Sequence, residues 1–492
     1  MKRLLLWAVF TSIVIIVIIA SIILFNTGLA KRSAPDITLT VSKEISLDEE
    51  KISHNLSKAI QIKTISHQDK EKTNWEEFNK FIRFLEDTFP NAHSTLKREI
   101  INSYALLFTW EGKQPAISPT LLIAHYDVVP AEESTEHLWK YPPFSGAIAE
   151  GFVWGRGTLD VKCNVIGIME AVEFLIKQGF TPKRTILISF GHDEEVGGRD
   201  GALAVATTLK SRGIIPEFSL DEGMAITKGI IPGIATPVAL IGIAEKGYLS
   251  LELSVTTSGG HSSNPPRETT IGTLAKAILA IERNPMPAKV AGPIRIMLEK
   301  LAPYMDFEMR LVCSNLWLFS PFLKYAFENI PSANAGIRTT FAPTLFHAGE
   351  KENVLPSHAS AVVNVRMLPG DSKDKVIAYI KDIIKDPMVK IKEYSPEKTD
   401  EASPISDINS EGYEIISQTI KQVWGDIPIA PSLTLGGTDS ANYKDTVRHL
   451  YRFQPLKFTQ EELNLIHNIN ERIEIKNYLK AIEFYIRLIE RL

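Results

Sequence analysis

The stretch that decides the fold is Gly191-His192-Asp193-Glu194-Glu195-Val196-Gly197-Gly198. It follows the apolar run 186–190, whose length and composition predict a buried strand. A second such run, 121–124, leads into His125-Tyr126-Asp127 in the same way. Because α/β sheets place their sites at the carboxyl ends of strands, we expect these acids and His125 to meet in one crevice.

The segments around this stretch predict an α/β fold with a mostly parallel central sheet. A third strand-like run lies at 105–110, and a helical pattern begins near residue 164 and ends at Gly179. Strands that alternate with helices form parallel sheets covered by helices on both faces. The sequence therefore predicts that architecture for residues 46–247.

A change of pattern after Lys246 divides the chain. Residues 249–256 alternate like a half-exposed strand, a helix follows from about residue 271, and two further strands are predicted around Asn353 and Arg366. We predict an inserted α+β domain at 248–395. The return of helix and strand patterns after it predicts that 396–492 completes the first domain.

The amino-terminal region predicts a membrane segment. Residues 4–25 are an uncharged run of 22 residues, which spans about 33 Å as a helix. A cleavable signal peptide has a shorter apolar core of roughly 7–15 residues, so we predict an anchor within 1–30, with a signal sequence or a buried core helix as alternatives. Lys2 and Arg3 favour a cytoplasmic amino terminus and a catalytic part that is periplasmic, lumenal or extracellular, or secreted after cleavage. Residues 31–45 are predicted to be a linker.

Composition argues against several classes of protein. The 492 residues carry a formal net charge of -4, without a basic stripe, so no nucleic-acid partner is expected. The two cysteines, Cys163 and Cys313, fall in different predicted domains, which excludes a disulfide framework. Cys163 lies near Asp160, but a single thiol is expected to be a packed, reduced residue.

The acids and histidines match the needs of a two-metal site. A pair of zinc ions needs one bridging carboxylate and about two terminal ligands for each ion. We predict that Asp160 is the bridge, that His125 and Asp221 bind one ion, and that Glu195 and His467 bind the other. Two alternatives stay open, because Glu222 is able to replace Asp221 and His449 is able to replace His467. Co²⁺ or Mn²⁺ would accept the same ligands.

Two further acids have predicted roles beside the ligands. Glu194 is next to a ligand without being needed as one, so it is predicted to be the general acid/base. Asp127 lies two residues after His125 and is predicted to accept its imidazole N–H, which would fix the tautomer that binds metal.

The segment 297–327 of the inserted domain is unusually apolar. Core packing explains this composition, and so does an adaptable wall for an acyl chain, which is the more specific hypothesis. The residues concerned are Met305, Phe307, Met309, Leu316, Trp317, Phe319, Phe322 and Phe327.

The ordered motifs identify a family resemblance. The chain from about 46 to 490 resembles the aminoacylase and carboxypeptidase S family of di-zinc metallopeptidases, and most of all the branch of carboxypeptidase S and the N-fatty-acyl-amino-acid synthase/hydrolases. The motifs that carry the resemblance are His125-Tyr126-Asp127-Val128-Val129-Pro130, Gly155-Arg156-Gly157-Thr158-Leu159-Asp160-Val161-Lys162, Gly191-His192-Asp193-Glu194-Glu195, Asp221-Glu222-Gly223, Gly259-Gly260-His261-Ser262-Ser263 and Gly436-Gly437-Thr438-Asp439-Ser440.

The resemblance implies further site residues. It implies that His261, on a lid or dimerisation domain, stabilises the oxyanion, in several members across a dimer interface. It also implies that Asn353 and Arg366 hold the substrate carboxylate, that the loop of Gly437 flanks it, and that His467 rather than His449 is the closing ligand. An Arg fork suits a carboxylate, and a lid histidine is able to donate where negative charge develops.

We therefore predict a di-zinc hydrolase. Its expected substrates are N-acyl amino acids, including fatty-acyl ones, or the carboxyl-terminal bond of short peptides, and the resemblance implies that the reaction is reversible. The alternatives are a non-catalytic, membrane-anchored binding protein for the same ligands and a related di-zinc aminopeptidase. A homodimer through the inserted domain is also expected from the resemblance.

Overall fold

The computed structural model describes residues 2–32 and 45–492. Helix α1 (Lys2–Arg32) precedes the rest of the fold. In the described part of the chain it is the one helix with the length and hydropathy needed to cross a membrane. The predicted linker, 31–45, lies almost entirely outside the described residues.

Residues 49–245 form most of a first, ten-stranded sheet and the helices that cover it. The elements of this part are α2 (Glu49–Gln61), α3 (Trp75–Thr88), α4 (Pro90–Thr95), β1 (Lys97–Ile101), β2 (Ala105–Trp110), β3 (Thr120–His125), β4 (Ile148–Ala149), β5 (Phe152–Trp154), α5 (Lys162–Lys177), β6 (Ile186–Gly191), α6 (Ala202–Ser211), β7 (Phe218–Asp221), β8 (Ile226–Thr227) and β9 (Val238–Glu245).

The next part of the chain forms a second, smaller sheet and six helices. Its elements are β10 (Gly247–Thr256), β11 (Gly260–His261), α7 (Thr270–Arg283), α8 (Gly292–Leu301), α9 (Phe307–Cys313), α10 (Leu316–Glu328), α11 (Pro331–Ile337), β12 (Thr340–Ala348), β13 (Val354–Leu355), β14 (His358–Met367), α12 (Lys373–Ile384) and β15 (Lys390–Glu393).

The last part of the chain adds three strands to the first sheet. Its elements are α13 (Glu411–Trp424), β16 (Ile429–Thr434), β17 (His449–Arg452), β18 (Lys457–Phe458), α14 (Gln460–Leu463), β19 (Arg472–Glu474) and α15 (Ile475–Glu490). Strand β19 forms a separate three-stranded sheet with β5 and β4.

The first sheet has a parallel centre, as predicted. Its order is β1-β2-β6-β3-β7-β17-β9-β8-β18, with β16 beside β9, and the four central strands β6, β3, β7 and β17 are parallel. Successive side chains of a strand face opposite sides. Leu122 therefore belongs to the core on the side of α2, α5, α13 and α15, whereas Leu121 belongs to the core on the side of α6. Both faces are covered, and the ionisable residues His125 and Asp221 lie at the strand ends.

The second sheet has the antiparallel order β12-β14-β10-β15 and packs against α7 and α12. The helices α8 to α10, which lie between α7 and β12 in the sequence, pack elsewhere. Leu298 and Leu301 of α8 and Leu316 of α10 pack with Val238 and Leu240 of β9, a strand of the first sheet. The apolar segment thus packs against the first sheet.

Candidate metal centre

His125 is held in one orientation at the end of β3. Its Nδ1 lies 3.0 Å from the backbone carbonyl oxygen of Asp127, which accepts the ring N–H. The other ring nitrogen, Nε2, faces two carboxylates and lies 3.1 Å from Asp160 Oδ1 and 3.1 Å from Glu222 Oε1. A histidine fixed in this way is ready to bind a cation through Nε2.

Asp160 lies between the two histidines. Its Oδ1 faces His125, and its Oδ2 is 2.9 Å from Nε2 of His467, which comes from the loop after α14. His467 Nε2 is also 3.4 Å from Glu195 Oε2. One carboxylate with an imidazole on each oxygen, and a further acid beside each imidazole, is a set of donors that suits divalent cations.

The structure does not bring the carboxylate of Asp221 into this cluster. Asp221 Oδ2 accepts hydrogen bonds from the backbone N–H and the hydroxyl of Ser440, at 2.8 and 2.9 Å, and Oδ1 accepts the Glu222 N–H at 2.8 Å. Its oxygens are therefore already engaged. Glu222, which the sequence left open as a substitute, extends to His125 instead and joins it and Glu194 in a group of closely spaced donor atoms.

Hydrogen bonds join the turn after β6 to the turn after β3. The Asp127 carboxylate accepts the backbone N–H groups of Glu194 and Glu195, at 3.1 and 3.2 Å, and the Ser66 hydroxyl at 2.6 Å. Its Oδ1 is 3.4 Å from His125 Nδ1. The predicted role of Asp127 is thus divided, since its backbone carbonyl orients the imidazole and its carboxylate orients the two glutamates.

Glu471 likewise holds the backbone of the loop that carries Asp160. Its buried carboxylate accepts the backbone N–H groups of Gly157 and Leu159, each at 2.9 Å, and pairs with Arg156. Sequence reasoning missed this residue, because a single acid four positions after His467 has no pattern that distinguishes it. His449, the alternative to His467, stacks on Tyr451 and lies outside the cluster.

The buried acids of the cluster would be stabilised by a positive charge. Burial raises the pKa of Glu194 and Glu195, and burial together with Asp160 raises the pKa of Glu222 to about 8. Hydrogen bonds to Asp160 and then Glu195 raise the pKa of His467 to about 10. Glu195 Oε1 is buried without a hydrogen-bond partner in the described chain. Several buried carboxylates are costly unless cations neutralise them, so the donor set fits divalent ions.

A cavity of about 1370 Å³ extends from the cluster. One end is lined by Asp160, Glu194, Glu195 and His467, and its side wall includes Arg366 and the loop of Gly437. The guanidinium of Arg366 lies 4.7 Å from the centre of the Tyr248 ring, its neighbour across the β10–β14 pairing. No carboxylate of the described residues forms an ion pair with Arg366, so its donors remain available in the cavity.

The other end of the cavity is apolar. Residues of α8 to α10 and the turns between them line it, namely Met297, Leu298, Leu301, Met305, Met309 and Phe327. Of the residues in the predicted wall, Met305, Met309 and Phe327 therefore face the cavity. Leu316 instead packs in the core, and Phe307, Trp317 and Phe322 are exposed.

Two of the predicted site residues lie elsewhere. His261 and Asn353 are both exposed, on the short ribbon in which β11 pairs with β13. The Ser262 N–H donates to the Asn353 carbonyl oxygen at 3.3 Å, so the two segments are neighbours. Neither residue is among the described residues that line the cavity.

Comparison with known proteins gives a consistent result. The model of peptidase family M20/M25/M40 matches residues 121–491. The chain is 39% identical over 448 residues to a probable carboxypeptidase S-like 2 of Dictyostelium discoideum, covering 90% of this chain and 85% of that protein. It is 40% identical over 439 residues to an N-fatty-acyl-amino acid synthase/hydrolase of Xenopus tropicalis, covering 88% and 84%.

Solved structures share the fold. An M20 family metallo-carboxypeptidase of Sulfolobus solfataricus superposes with a TM-score of 0.66 at 19% identity, and the match covers 90% of this chain and 99% of that one.

Proposed function

We propose that this chain, which belongs to peptidase family M20/M25/M40, hydrolyses the amide bond of N-acyl amino acids by two-metal chemistry. The observation that carries the proposal is the position of Asp160 between His125 and His467, with acids on both sides. His125, Asp160 and Glu222 would hold one Zn²⁺, and Asp160, Glu195 and His467 the other. Co²⁺ and Mn²⁺ suit the same donors.

Bound ions of this kind polarise a carbonyl and lower the pKa of water. The chain itself supplies the proton transfers. Glu194 borders the cavity, and its Oε2 lies 3.9 Å from His125 Nε2, so its carboxylate is within reach of a group bound in the cluster. Glu194 takes a proton from the attacking water and returns it to the leaving nitrogen. Asp127 holds the Glu194 backbone in place during both transfers.

Recognition of the amino-acid half rests on Arg366. Its guanidinium is stacked on Tyr248 and has no acidic partner among the described residues, so a substrate carboxylate is able to accept both of its forked donors. Gly437 on the same cavity wall allows close approach of that carboxylate. This preference for a free carboxylate argues against an aminopeptidase, which has to bind an amine.

The apolar end of the cavity supports a fatty-acyl group as the other half of the substrate. Met305, Met309 and Phe327 supply adaptable contacts there. The relative from Xenopus tropicalis is named for fatty-acyl amino acids, which supports the same class, and reversal of the reaction is part of this proposal. Short peptides are the second candidate, supported by the likeness to the carboxypeptidase S-like protein.

Exposure of His261 and Asn353 supports a homodimer in which each copy completes the site of the other. Mixing the inactive variants His261→Ala and Glu194→Gln tests this. Random pairing would restore about a quarter of the wild-type activity, because half of the dimers contain one intact site. Absence of restored activity after verified exchange of subunits would refute it.

Helix α1 supports a membrane-anchored enzyme with an extracytoplasmic catalytic part. The apolar residues of this helix are exposed along most of its length. Intact mass and resistance to alkaline extraction from membranes would distinguish an anchor from a cleaved leader.

Mass spectrometry of products tests the reaction itself. The protein, loaded with Zn²⁺, is incubated with mixed acyl amino acids and dipeptides. Release of free amino acid by the wild type is expected, and Glu194→Gln is expected to keep both ions and lose turnover. A protein that binds these ligands without releasing product is a binding module, and that result would overturn the proposal.

A further inference from the structure

Helix α10 has an exposed apolar face. Trp317, Leu318, Phe322 and Tyr325 recur at helical spacing and therefore share one side of the helix. Trp317, Phe322 and Tyr325 have exposed fractions of 57%, 59% and 71%. We call these four residues the aromatic face. Adjacent exposed aromatic residues on a soluble surface indicate a binding partner.

The aromatic face lies beside the end of the proposed anchor. Asn315, the residue just before α10, is completely buried and contacts α1. Its side chain accepts a hydrogen bond from Asn26 Nδ2 at 3.0 Å and donates to Ile23 O and Thr27 Oγ1, both at 3.3 Å. Trp317 borders the same crevice as Asn26. Helix α10 therefore starts where the apolar run of α1 ends.

From this continuity we propose that the aromatic face lies in the surface of the lipid bilayer that α1 spans. Trp and Tyr prefer the boundary between lipid and water, because their rings are apolar and their N–H and O–H groups reach the headgroups. The hydrogen bonds of Asn315 fix α10 to α1, so insertion of α1 places the aromatic face next to the bilayer. This inference rests on the proposed anchor.

The same helices connect the bilayer to the cavity. Met309 of α9 and Phe327 of α10 line the apolar end of the cavity, while the aromatic face points outward. Ile330, just after α10, both lines the cavity and is exposed to 49%. A fatty-acyl amino acid is an amphiphile that concentrates in membranes. The arrangement gives it a short apolar route from the bilayer to the site.

Site-directed labelling tests the proposal on the full chain. Both native cysteines, Cys163 and Cys313, are buried, so an introduced cysteine on the surface is labelled selectively. Single variants Leu318→Cys, Phe322→Cys and Tyr325→Cys carry an environment-sensitive fluorophore in phosphatidylcholine vesicles. The matched control is Met388→Cys, because Met388 is an apolar residue of the inserted domain with an exposed fraction of 48%.

The expected result is blue-shifted emission at the three positions of the aromatic face, with quenching by brominated lipids, and neither effect at position 388. Quenching by a water-soluble quencher at all four positions overturns the proposal. Shielding that depends on protein concentration, and not on brominated lipid, identifies a second copy of the chain as the occupant and also overturns it. Measurement of the intact mass shows whether α1 is retained, so a cleaved anchor is distinguished from an aromatic face that does not meet the bilayer. Turnover of a short, water-soluble acyl amino acid shows independently whether the proposed enzyme activity is present.

Discussion

The assignment of Glu222 rather than Asp221 as a ligand leads to a sharp prediction. Glu222→Gln is expected to lose one of two bound ions, because its carboxylate oxygen lies 3.1 Å from His125 Nε2 and an amide oxygen is a much weaker ligand. Asp221→Asn is expected to keep both. The Asp221 carboxylate already accepts three hydrogen bonds, and none of them comes from His125.

The hydrogen bonds of Asp221 also set the expected loss of stability and of ion affinity in Asp221→Asn. An asparagine keeps one acceptor oxygen, but its amide N–H₂ faces a donor, either Ser440 or the Glu222 N–H. The lost and unsatisfied hydrogen bonds cost about 1–3 kcal/mol of folding free energy. The Glu222 backbone shifts in response, so the affinity for the ion falls by roughly 10- to 100-fold without loss of the site.

Metal content per chain and thermal unfolding are the two measurements. Each variant is loaded with Zn²⁺, dialysed, and analysed for zinc by mass spectrometry, and a competing chelator then gives the affinity. Glu222→Gln should hold one ion, and Asp221→Asn two ions with a lower unfolding temperature. One ion in Asp221→Asn together with two in Glu222→Gln would refute the assignment.

Three more predictions follow from the cavity and the cluster. Arg366→Met should lower kcat/KM for N-acyl amino acids by roughly 10- to 150-fold, the value of a charged hydrogen bond, and leave the corresponding acyl amides, which lack the carboxylate, unaffected in a parallel assay. Met309→Trp should reduce the gain in kcat/KM with acyl length, which is expected to be about fourfold for each buried methylene in the wild type, while sparing acetyl substrates; an unchanged length dependence would contradict the acyl site. Removal of the ions by a chelator should lower the unfolding temperature, and Zn²⁺ should restore it, because acids around Asp160 are left uncompensated; a temperature insensitive to both would contradict the metal centre.

The central sheet could be predicted because its signals are local. The runs 105–110, 121–124 and 186–190 correspond to β2, β3 and β6, and both faces of these strands are covered. Strands buried on both sides have continuous apolar sequences, and the polar residues after them mark the edge of the sheet. The positions of His125 and Glu194 follow from this rule alone.

The sequence favoured Asp221 as the ligand and left Glu222 open, whereas the structure places Glu222 beside His125. Strand β7 ends at Asp221, and consecutive residues of an extended chain point to opposite sides. The residue that faces His125 is therefore decided by a difference of one position in how the strand ends. Ser440, which takes up the Asp221 carboxylate, comes from a loop more than two hundred positions away. Only the tertiary structure brings that loop to β7.

The positions of His261 and Arg366 are a second feature that sequence motifs could not predict. A motif gives the residue type and not the subunit or surface to which it belongs. Arg366 lies on β14, opposite Tyr248 of β10, so strand register places it on the cavity wall of its own chain. His261 belongs to a short exposed ribbon, and no contact within the described chain brings it to the cluster.

The apolar segment 297–327 contains residues that pack in the core and residues that are exposed, and the sequence could not separate the two groups. A helix that is apolar on all sides is either buried in protein or in contact with lipid. Helix α10 is buried on one side, where Leu316 and Leu323 pack in the core, and exposed on the other, where we propose that Phe322 contacts lipid. Because only the exposed side is proposed to contact lipid, measurements in solution and on vesicles report different parts of the same helix. Dependence on acyl length in solution reports the cavity, whereas an added advantage on vesicles reports the aromatic face.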